Sequence, residues 1–573
     1  MADQKWLHCY DEGVPHSLQP YPNRTLLDII AETEKQRPNH TALYFKGHAM
    51  TYERLGRLSD AFANALMHLG VQKGDRVAFL LPNTPQLIFS ILGAWKAGGI
   101  AVPLNPLYTE PELERALTDC GAETVVTMTL FYNKIRDIQG RTKLRTVIAT
   151  NIKEYLPTIL RILFTLVREK KEGHKITLKS GDYRLADICR NRAGFAGPAV
   201  QIEPEDPAVM LFTGGTTGIP KAAVSSHHAL LISGMQIRSW LKDVLVQWDD
   251  RAMVNMPLFH TFGLAGVFST SLVAQTPLIL IPNPRDIGDL LATIEKMKPA
   301  VLPGVPTLFN AILNHPKVKS GQADLSCLKV SISGAAPLLA EIKNRYENVT
   351  GGHLVEGYAL TESTMAAVMT PVRGMYKRGA VGVPLPDIEI RITDADTGKG
   401  DLPPGEIGEI VMRAPQLMKE YWRQPAETSK TIRDGWLYTG DLGYLDEDGF
   451  LFIVDRKKDV IKPSGFQVWP REVEEVIASH PAVSEVGVAG IPDRDQVEAV
   501  KAWVVLHEGR QLTAEELQEF CRKSLVAYKV PKHVEFCESL PKTTIGKILR
   551  RELAEKEKTL ARGKEAGIAL SSR

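Results

Sequence analysis

Helix-like and strand-like segments alternate along residues 51–130, and this alternation constrains the fold more than any other feature. Thr51 can cap a helix whose apolar residues are regularly spaced, and Gly70 is expected to end that helix. Short apolar runs at 77–81 and 100–102 are typical of buried strands, and a helix with an apolar face lies between them. Because parallel strands need long crossover connections, the pattern predicts an α/β fold with a largely parallel sheet covered by helices on both faces.

A different pattern begins late in the chain. A charged amphipathic helix is expected to start near Trp469, and residues 486–490 and 499–506 are strand-like. A chain of 573 residues also exceeds the usual size of one domain. We therefore expect a large N-terminal domain of layered sheets with flanking helices over residues 1–455, and a small α+β C-terminal domain over residues 456–573.

Residues 152–175 interrupt the alternation of helices and strands. An apolar stretch at 155–167 is followed by the charged run from Arg168 to Lys171. The stretch is too short to span a bilayer. Two interpretations stay open: an insertion helix packed on its own domain, or a segment that lies in a membrane interface.

The composition of the chain excludes some partners and compartments. Lysines and arginines number 69 against 67 acids, so the net charge of +2 gives no electrostatic reason to expect nucleic acid as a partner. The six cysteines lack the spacing of a metal site or a disulfide framework, which indicates a reducing compartment. The N-terminus has no secretory pattern and the final Ser-Ser-Arg is not the peroxisomal S-K-L address, so a cytoplasmic location is expected.

Residues 213–221, Thr-Gly-Gly-Thr-Thr-Gly-Ile-Pro-Lys, follow a strand-like run and form the most distinctive polar segment. Glycines let the backbone turn tightly and bring its amide groups close to a polyanion. The segment is not the common P-loop, because Ile219 and Pro220 separate Gly218 from Lys221. From these residues alone, a phosphate site and a mobile surface turn both remain open.

Five further segments place polar residues beside short apolar runs. They are Gly334 to Pro337, Glu356 to Glu362, Trp436 to Asp441, Asp455 to Lys462 and Pro541 to Arg550. In the second of them, an aromatic face, a hydroxyl and a carboxylate are expected within one turn. Each segment taken singly is also explained by a turn, a surface acid, a charged linker or a solvated lysine. In this order, and together with the glycine-threonine loop, they resemble the acyl-adenylate-forming (AMP-binding) superfamily over about residues 25–555.

Within that superfamily the chain most resembles the long-chain fatty-acid–CoA ligases. The likeness rests on Pro257 to His260, on the region from Tyr358 to Glu362 and on the insertion at 152–175. The resemblance implies an ATP-dependent acid–thiol ligase that forms acyl-CoA through an acyl-adenylate. It implies ATP and Mg²⁺ as cofactors and coenzyme A as co-substrate. Peripheral membrane contact through residues 152–175 and a homodimer are both left open.

The resemblance also implies roles for individual residues in nucleotide binding. Thr361 would contact the α-phosphate and Glu362 would bind Mg²⁺. The phosphate grip would comprise Thr213, Gly214, Gly215, Thr216, Thr217, Gly218 and Lys221. The adenine site would comprise Gly334, Ala335, Ala336, Pro337, Glu356, Gly357, Tyr358 and Ala359, and the ribose site Asp441 and Arg456.

The same resemblance implies a moving catalytic lysine. Lys547 would stabilise the charge that develops in the adenylation step, since a compact ammonium suits that task. In the family the small domain is mobile and rotates between the two steps, here about Lys458, to bring Lys462 and Gly465 to the coenzyme A path. The acyl pocket would include His260, Gly304 and Val305.

Other functions within and outside this family stay open at this point. An aryl or medium-chain acid–CoA ligase, a carrier-protein acylating ligase and a luciferase-like oxygenase would share the same motifs. A non-catalytic acyl- or nucleotide-binding scaffold would be expected to lack Glu362, Asp441 or Lys547, and all three are present.

Overall fold

The computed structural model describes residues 5–213, 220–463, 466–493, 496–543 and 548–557. The chain divides into two compact units: Met1–Glu389 with Met412–Leu437, and Ile390–Val411 with Tyr438–Arg573. The expected domain boundary between residues 455 and 456 stays a prediction.

The helices and strands of the described residues follow one another as expected for an α/β chain. The helices are α1 (Leu26–Gln36), α2 (Tyr52–His68), α3 (Pro85–Lys96), α4 (Glu110–Cys120), α5 (Tyr132–Gln139), α6 (Thr158–Leu163), α7 (Leu185–Asn191), α8 (His227–Trp240), α9 (Thr270–Ala274), α10 (Ile287–Met297), α11 (Pro306–Asn314), α12 (Pro316–Lys319), α13 (Ala340–Thr350), α14 (Pro425–Thr431), α15 (Pro470–Ala478) and α16 (Ala514–Arg522). The strands are β1 (Thr41–Phe45), β2 (His48–Thr51), β3 (Arg76–Leu80), β4 (Ile100–Pro103), β5 (Thr124–Met128), β6 (Thr146–Thr150), β7 (Tyr183–Arg184), β8 (Pro207–Phe212), β9 (Ala222–Ser226), β10 (Ala252–Val254), β11 (Leu278–Leu280), β12 (Val301–Gly304), β13 (Val330–Ser333), β14 (His353–Leu360), β15 (Met365–Met369), β16 (Val383–Pro384), β17 (Glu389–Thr393), β18 (Gly408–Arg413), β19 (Glu420–Tyr421), β20 (Ile432–Arg433), β21 (Trp436–Leu445), β22 (Leu451–Arg456), β23 (Val483–Asp493), β24 (Val497–Leu506) and β25 (His533–Phe536).

Two large sheets form the first unit. One has the order β19-β9-β8-β4-β3-β5-β6-β7, and the other has the order β16-β15-β14-β13-β12-β10-β11-β1-β2. Strands β3 to β6 pair in parallel in the first sheet, and strands β10 to β14 pair in parallel in the second. The predicted α/β class with a largely parallel sheet is therefore confirmed.

The helices between these strands form where their caps and apolar spacing predict them. The Thr51 side chain accepts the backbone N–H of Arg54 and starts α2, whose residues Leu55, Phe62 and Leu66 are buried. Such a cap satisfies one of the four unpaired N–H groups at a helix start. Helix α3 between β3 and β4 buries its whole length up to Trp95, so it lies in the interior of the unit.

The second unit is smaller and contains two sheets. In one of them β18 lies between β17 and β21, and β22 pairs with β21. The other has the order β23-β24-β25. The expected charged amphipathic helix is α15, which buries Val473 and Ile477 in a core shared with Leu517 and Cys521 of α16. This arrangement confirms the predicted small α+β C-terminal domain as a fold.

The insertion at 152–175 forms an exposed helix. Helix α6 continues into a π-helical turn over Phe164–Arg168, and neither segment has a buried residue. Phe164 contacts the buried His174, which is hydrogen-bonded to Thr129, so the inner side of the helix is anchored to its own unit while its outer apolar side chains are exposed. The choice between a packed helix and a segment in a membrane interface stays a prediction. Among the residues that the structure describes, no helix is long and apolar enough to cross a membrane.

Candidate functional site

Four parallel strands of the nine-stranded sheet end at the same edge, and most of the predicted site residues of the first unit lie there. Gly304 at the end of β12 is in register with Ser333 at the end of β13, which is in register with Glu356 of β14. The N–H of Gly334 donates to the carbonyl of Gly304 at 3.1 Å, so the loop after β13 lies against β12. Ligands of open α/β sheets bind outside the carboxyl ends of such strands.

The predicted adenine residues form a close-packed corner of this edge. Glu356 is buried and its carboxylate accepts the N–H of Leu338 at 3.3 Å, which holds the loop after β13 to β14. A Cβ at Gly334 would lie 3.3 Å from the Phe262 ring and 3.6 Å from the carbonyl of Gly357. A larger side chain at Gly334 would therefore press against Phe262.

Two further observations concern this corner. Ala335 has φ +68°, a left-handed conformation that costs a non-glycine residue about 1–3 kcal/mol and is concentrated at functional sites. Ala335 and Pro337 are exposed, whereas Ala336, Gly357, Tyr358 and Ala359 are half-buried.

The expectation of a single turn over residues 356–362 is wrong, since residues up to Leu360 belong to β14, which pairs with β13 and β15.

Two buried asparagines hold the segment that carries His260. The Asn83 amide donates to the carbonyls of Val254 and Met256, both at 2.9 Å, and its oxygen accepts the N–H of Leu258 at 3.1 Å. Asn255 donates to the carbonyl of Pro303 in β12 at 2.7 Å. Because buried carbonyls and amides need partners, these bonds fix the path of the chain toward His260. Neither asparagine was singled out from the sequence as a site residue.

His260 itself is half-buried in the segment between β10 and the π-helix Phe262–Ser269. Its Nδ1 accepts the N–H of Phe262 at 3.2 Å. A neutral imidazole that accepts at Nδ1 carries its proton on Nε2. The proton of His260 is therefore on Nε2, and the Phe262 ring follows it in the chain.

Phe262 and residues of the nine-stranded sheet line an apolar cavity. Near the carboxyl edge it is lined by Pro303 and Ile332, which are register partners, and farther along by Val301 and Ala252, which are register partners near the start of their strands. The lining also includes Ile237, Leu241, Leu245, Gly266, Met365 and Met369. The sequence analysis included none of these six residues, which come from α8 and the segment after it, the π-helix Phe262–Ser269 and β15.

The glycine-threonine loop joins two antiparallel strands. Phe212 of β8 pairs with Ala222 of β9, and the N–H of Thr213 donates to the carbonyl of Lys221 at 2.8 Å. The loop therefore follows a strand, as predicted, and leads into another strand rather than into the helix of a P-loop. Gly214, Gly215, Thr216, Thr217 and Gly218 lie outside the described residues.

A chain of contacts connects Lys221 with Glu362. The Lys221 ammonium lies 2.5 Å from a carboxylate oxygen of Glu427 and 4.9 Å from the ring centroid of Tyr421. The Tyr421 hydroxyl donates to Oε1 of Glu362 at 2.6 Å. The carbonyl of Glu362 accepts the N–H of Met418 at 2.8 Å. The sequence analysis identified neither Tyr421 nor Glu427 as a site residue.

The protonation states in this chain of contacts follow from the neighbouring charges. The hydrogen bond from Lys221, together with that from Lys430, lowers the pKa of the Glu427 carboxyl to about 2. Burial, reinforced by the negative charge of Glu362, raises the pKa of the Tyr421 hydroxyl well above its ordinary value. Tyr421 therefore keeps its proton and remains a donor to Glu362 at neutral pH.

In the second unit, Asp441 and Arg456 form a pair across β21 and β22. They are register partners, and Nε of Arg456 lies 3.1 Å from Oδ1 of the buried Asp441. The N–H of Asp441 donates to the Thr439 hydroxyl at 3.1 Å, and buried Glu409 accepts the N–H of Gly440 at 3.2 Å. The carboxylate thus sits on a braced strand, which suits an acceptor for two neighbouring hydroxyls.

The remaining predicted residues belong to the same unit. Lys458 lies in the turn after β22, and the N–H of Lys462 donates to the Glu498 carboxylate at 2.7 Å. Gly465 and Lys547 lie outside the described residues. Arg550 is described: it lies 2.7 Å from the Asp455 carboxylate and also contacts Glu474.

Glu362 is the predicted magnesium ligand, and its surroundings fit that ion. Among the residues described, no three His, Cys, Asp or Glu side chains form a metal-holding group. Mg²⁺ is commonly held by one or two carboxylates plus substrate phosphates and water, rather than by a cage of protein ligands. A single half-buried carboxylate oriented by Tyr421 meets that requirement.

The parallel-strand edge, its apolar cavity and the glycine-threonine loop of the first unit fit a nucleotide-dependent, acid-activating enzyme of the adenylate-forming class. The second unit, taken by itself, carries the braced acid Asp441. Sequence comparison identifies the family. The AMP-binding enzyme family matches residues 30–422, and the AMP-binding enzyme C-terminal domain matches residues 472–547. The chain belongs to the AMP-binding enzyme family.

The similarity to individual relatives covers nearly the whole chain. A long-chain-fatty-acid–CoA ligase of Bacillus subtilis (strain 168) is 40% identical over 561 residues, which is 97% of this chain and 99% of that protein. The anthranilate CoA ligase AuaEII in complex with anthranoyl-AMP has a TM-score of 0.82 at 28% identity, covering 95% of this chain and 99% of its own. ATP-bound MatB from Rhodopseudomonas palustris has a TM-score of 0.79 at 30% identity, covering 92% and 98%.

Proposed function

We propose that this enzyme activates a long-chain fatty acid as its acyl-adenylate and transfers the acyl group to coenzyme A. The observation that carries the proposal is the apolar cavity lined by Phe262, two residues after His260. A carboxylate near His260 would have its hydrocarbon chain directed into a cavity lined almost entirely by apolar side chains. The name of the Bacillus subtilis relative supports the same class of acid.

The reaction has two balanced steps. A carboxylate oxygen of the acid attacks the α-phosphorus of ATP, the bond to the β-phosphate oxygen breaks, and pyrophosphate leaves. The thiol of coenzyme A then loses its proton and attacks the acyl carbon, and AMP leaves with the electrons of the acyl–oxygen bond. The first step makes an unreactive carboxylate into an acyl group with a good leaving group, which is the logic of covalent activation.

The described residues supply binding and orientation for these steps. Thr213 and Lys221 hold the outer phosphates, and Lys221 exchanges its Glu427 partner for phosphate oxygens. The corner at Gly334 to Pro337 and Tyr358 holds adenine, Asp441 accepts the ribose hydroxyls and Thr361 contacts the α-phosphate. The His260 N–H at Nε2 is suited to donate to an acyl oxygen. Mg²⁺ bound at Glu362 supplies positive charge to the phosphates.

The acid class is tested by measuring AMP release that depends on both ATP and coenzyme A. Straight-chain acids of increasing length are compared with benzoate and other aryl acids. We expect kcat/KM to rise with chain length, because each additional methylene buried in an apolar site contributes about 0.8 kcal/mol. A preference for aryl acids would contradict the proposal while leaving membership of the family untouched.

A glycine in the cavity wall gives a sharper test. A Cβ at Gly266 would lie 3.1 Å from Met365 and 3.2 Å from Phe262, so the side chain of Gly266→Leu must occupy the cavity. We expect kcat/KM for the longest acids to fall about tenfold or more, with a smaller loss for short acids. Gly140→Leu is the matched control, since a Cβ there meets no atom within 4 Å. Equal losses for short and long acids would exclude this cavity as the acyl site.

A further inference from the structure

The exposed helix of the insertion carries a contiguous apolar surface, here called the insertion face. It consists of Ile159, Ile162, Leu163, Leu166 and Val167, with exposed fractions of 74%, 53%, 52%, 78% and 65%. The spacing of Ile159, Ile162 and Leu163 at i, i+3 and i+4 places them on one side of α6, and the exposed Leu166 and Val167 follow in the π-helical turn. Single exposed apolar residues are common on soluble proteins, but a contiguous exposed patch marks an interaction site.

The insertion face is presented by an anchored segment. The ring of Phe164 packs edge-on against His174, with centroids 5.3 Å apart. His174 is buried, and its Nδ1 is 2.8 Å from the Thr129 hydroxyl. Glu169 forms an ion pair with Lys153 at 2.6 Å. These contacts fix the inner side of the helix to the first unit, so its outer side is held in an exposed position.

Basic residues accompany the insertion face. Residues 152–175 contain six Lys and Arg side chains against three Glu. Arg161 and Arg168 are both exposed on this helical segment, and Lys170 and Lys171 follow it exposed. Apolar side chains flanked by Lys and Arg are typical of helices that lie in the interface of anionic membranes.

The same charges disfavour a second copy of the chain as the occupant. A symmetric dimer through the insertion face would bring the basic flanks of two copies together, and like charges facing each other across an interface oppose association. An anionic lipid surface instead complements both the apolar side chains and the basic flank.

We infer that the insertion face docks the enzyme on an anionic lipid surface, with Ile159 and Leu166 inserted at the boundary of headgroups and acyl chains. Long Arg and Lys side chains keep their charges at the headgroups while their stems cover apolar surface. The inference goes beyond the proposed function, because it rests on the exposed helix and its charges and not on the identity of the acid.

The test is sedimentation of the full-length protein with phosphatidylcholine vesicles, with and without phosphatidylglycerol. The wild type is expected to bind the mixed vesicles, and added salt to weaken binding. Ile159→Glu/Leu166→Glu is expected to lower the partition coefficient at least about tenfold, since two apolar side chains no longer leave water. The matched control is Leu107→Glu/Val246→Glu, which adds the same charge at residues 56% and 47% exposed elsewhere; its binding is expected to stay within about twofold of wild type.

The outcomes separate lipid docking from the other occupants and from the ligase activity. Both variants are expected to keep the melting temperature of the wild type, because the replaced side chains are exposed. Binding of the Ile159→Glu/Leu166→Glu variant at the wild-type level, or no binding of the wild type to mixed vesicles, would overturn the inference. So would a dimeric wild type that this variant makes monomeric in lipid-free solution. This experiment measures vesicle binding, so a negative result for lipid docking can be told apart from a negative result in the acid–CoA ligase assay.

Discussion

Lys547→Ala is expected to reduce acyl-adenylate formation by about two to three orders of magnitude, while conversion of supplied acyl-adenylate to the thioester stays near the wild-type rate. Negative charge builds on the α-phosphate and the attacking oxygen only in the first step. An ammonium that stabilises this charge is worth about 3–4 kcal/mol, whereas a residue withdrawn during the second step contributes nothing to it. The measurement is two single-turnover assays, one from acid and ATP and one from acyl-adenylate and coenzyme A.

Lys542→Ala is the matched control for this experiment. Lys542 is a lysine of the same C-terminal motif, and it forms a surface ion pair with Glu485 at 2.5 Å. Exposed pairs of this kind contribute little to stability, so both half-reactions are expected to be unchanged. Equal losses in both half-reactions of Lys547→Ala would show that the lysine supports the structure of the unit, or that the two steps do not alternate between different sets of residues.

Local signals in the sequence were sufficient for much of the fold. The Thr51 cap, Gly70 and the apolar runs at 77–81 and 100–102 predicted α2, β3 and β4, because caps and periodic burial act over a few residues. The insertion at 152–175 shows the limit of such signals. Its apolar residues have the same spacing whether the helix is covered or exposed, so only its surroundings in the fold could decide between the two.

The candidate site was predictable as a set of motifs, but its internal contacts were not. Tyr421 reaches Glu362 because the two-residue strand β19 pairs with β9, where Tyr421 is in register with Ala223. That pairing joins segments far apart in sequence, and nothing local to Tyr421 indicates it. The same is true of Asn83, which follows β3 of one sheet and holds the segment after β10 of the other. The contacts within the site therefore depend on strand pairing between distant segments, which sequence patterns do not predict.

Glu362→Gln is expected to reduce acyl-adenylate formation by about a hundredfold or more and to remove most of the Mg²⁺ dependence of ATP binding. The substitution keeps an oxygen that can accept the Tyr421 hydroxyl, so the local packing is retained while the charge is lost. A hard cation prefers a charged carboxylate oxygen over a neutral amide oxygen. ATP binding is measured by calorimetry with and without Mg²⁺, which gives a readout that does not depend on turnover.

Tyr421→Phe separates the charge of Glu362 from its orientation. The ring remains under the Lys221 ammonium, but the hydrogen bond to Oε1 is lost, and a hydrogen bond to a charged group is worth about 1.5–3 kcal/mol. We therefore expect a roughly tenfold weaker response of ATP binding to Mg²⁺, smaller than that of Glu362→Gln. Glu389→Gln, which changes a carboxylate paired with Arg413, is the control and should leave the response unchanged. A Glu362→Gln variant that still binds ATP with the full Mg²⁺ dependence would remove Glu362 from the metal site. The Tyr421→Phe result would then report only on packing around Lys221.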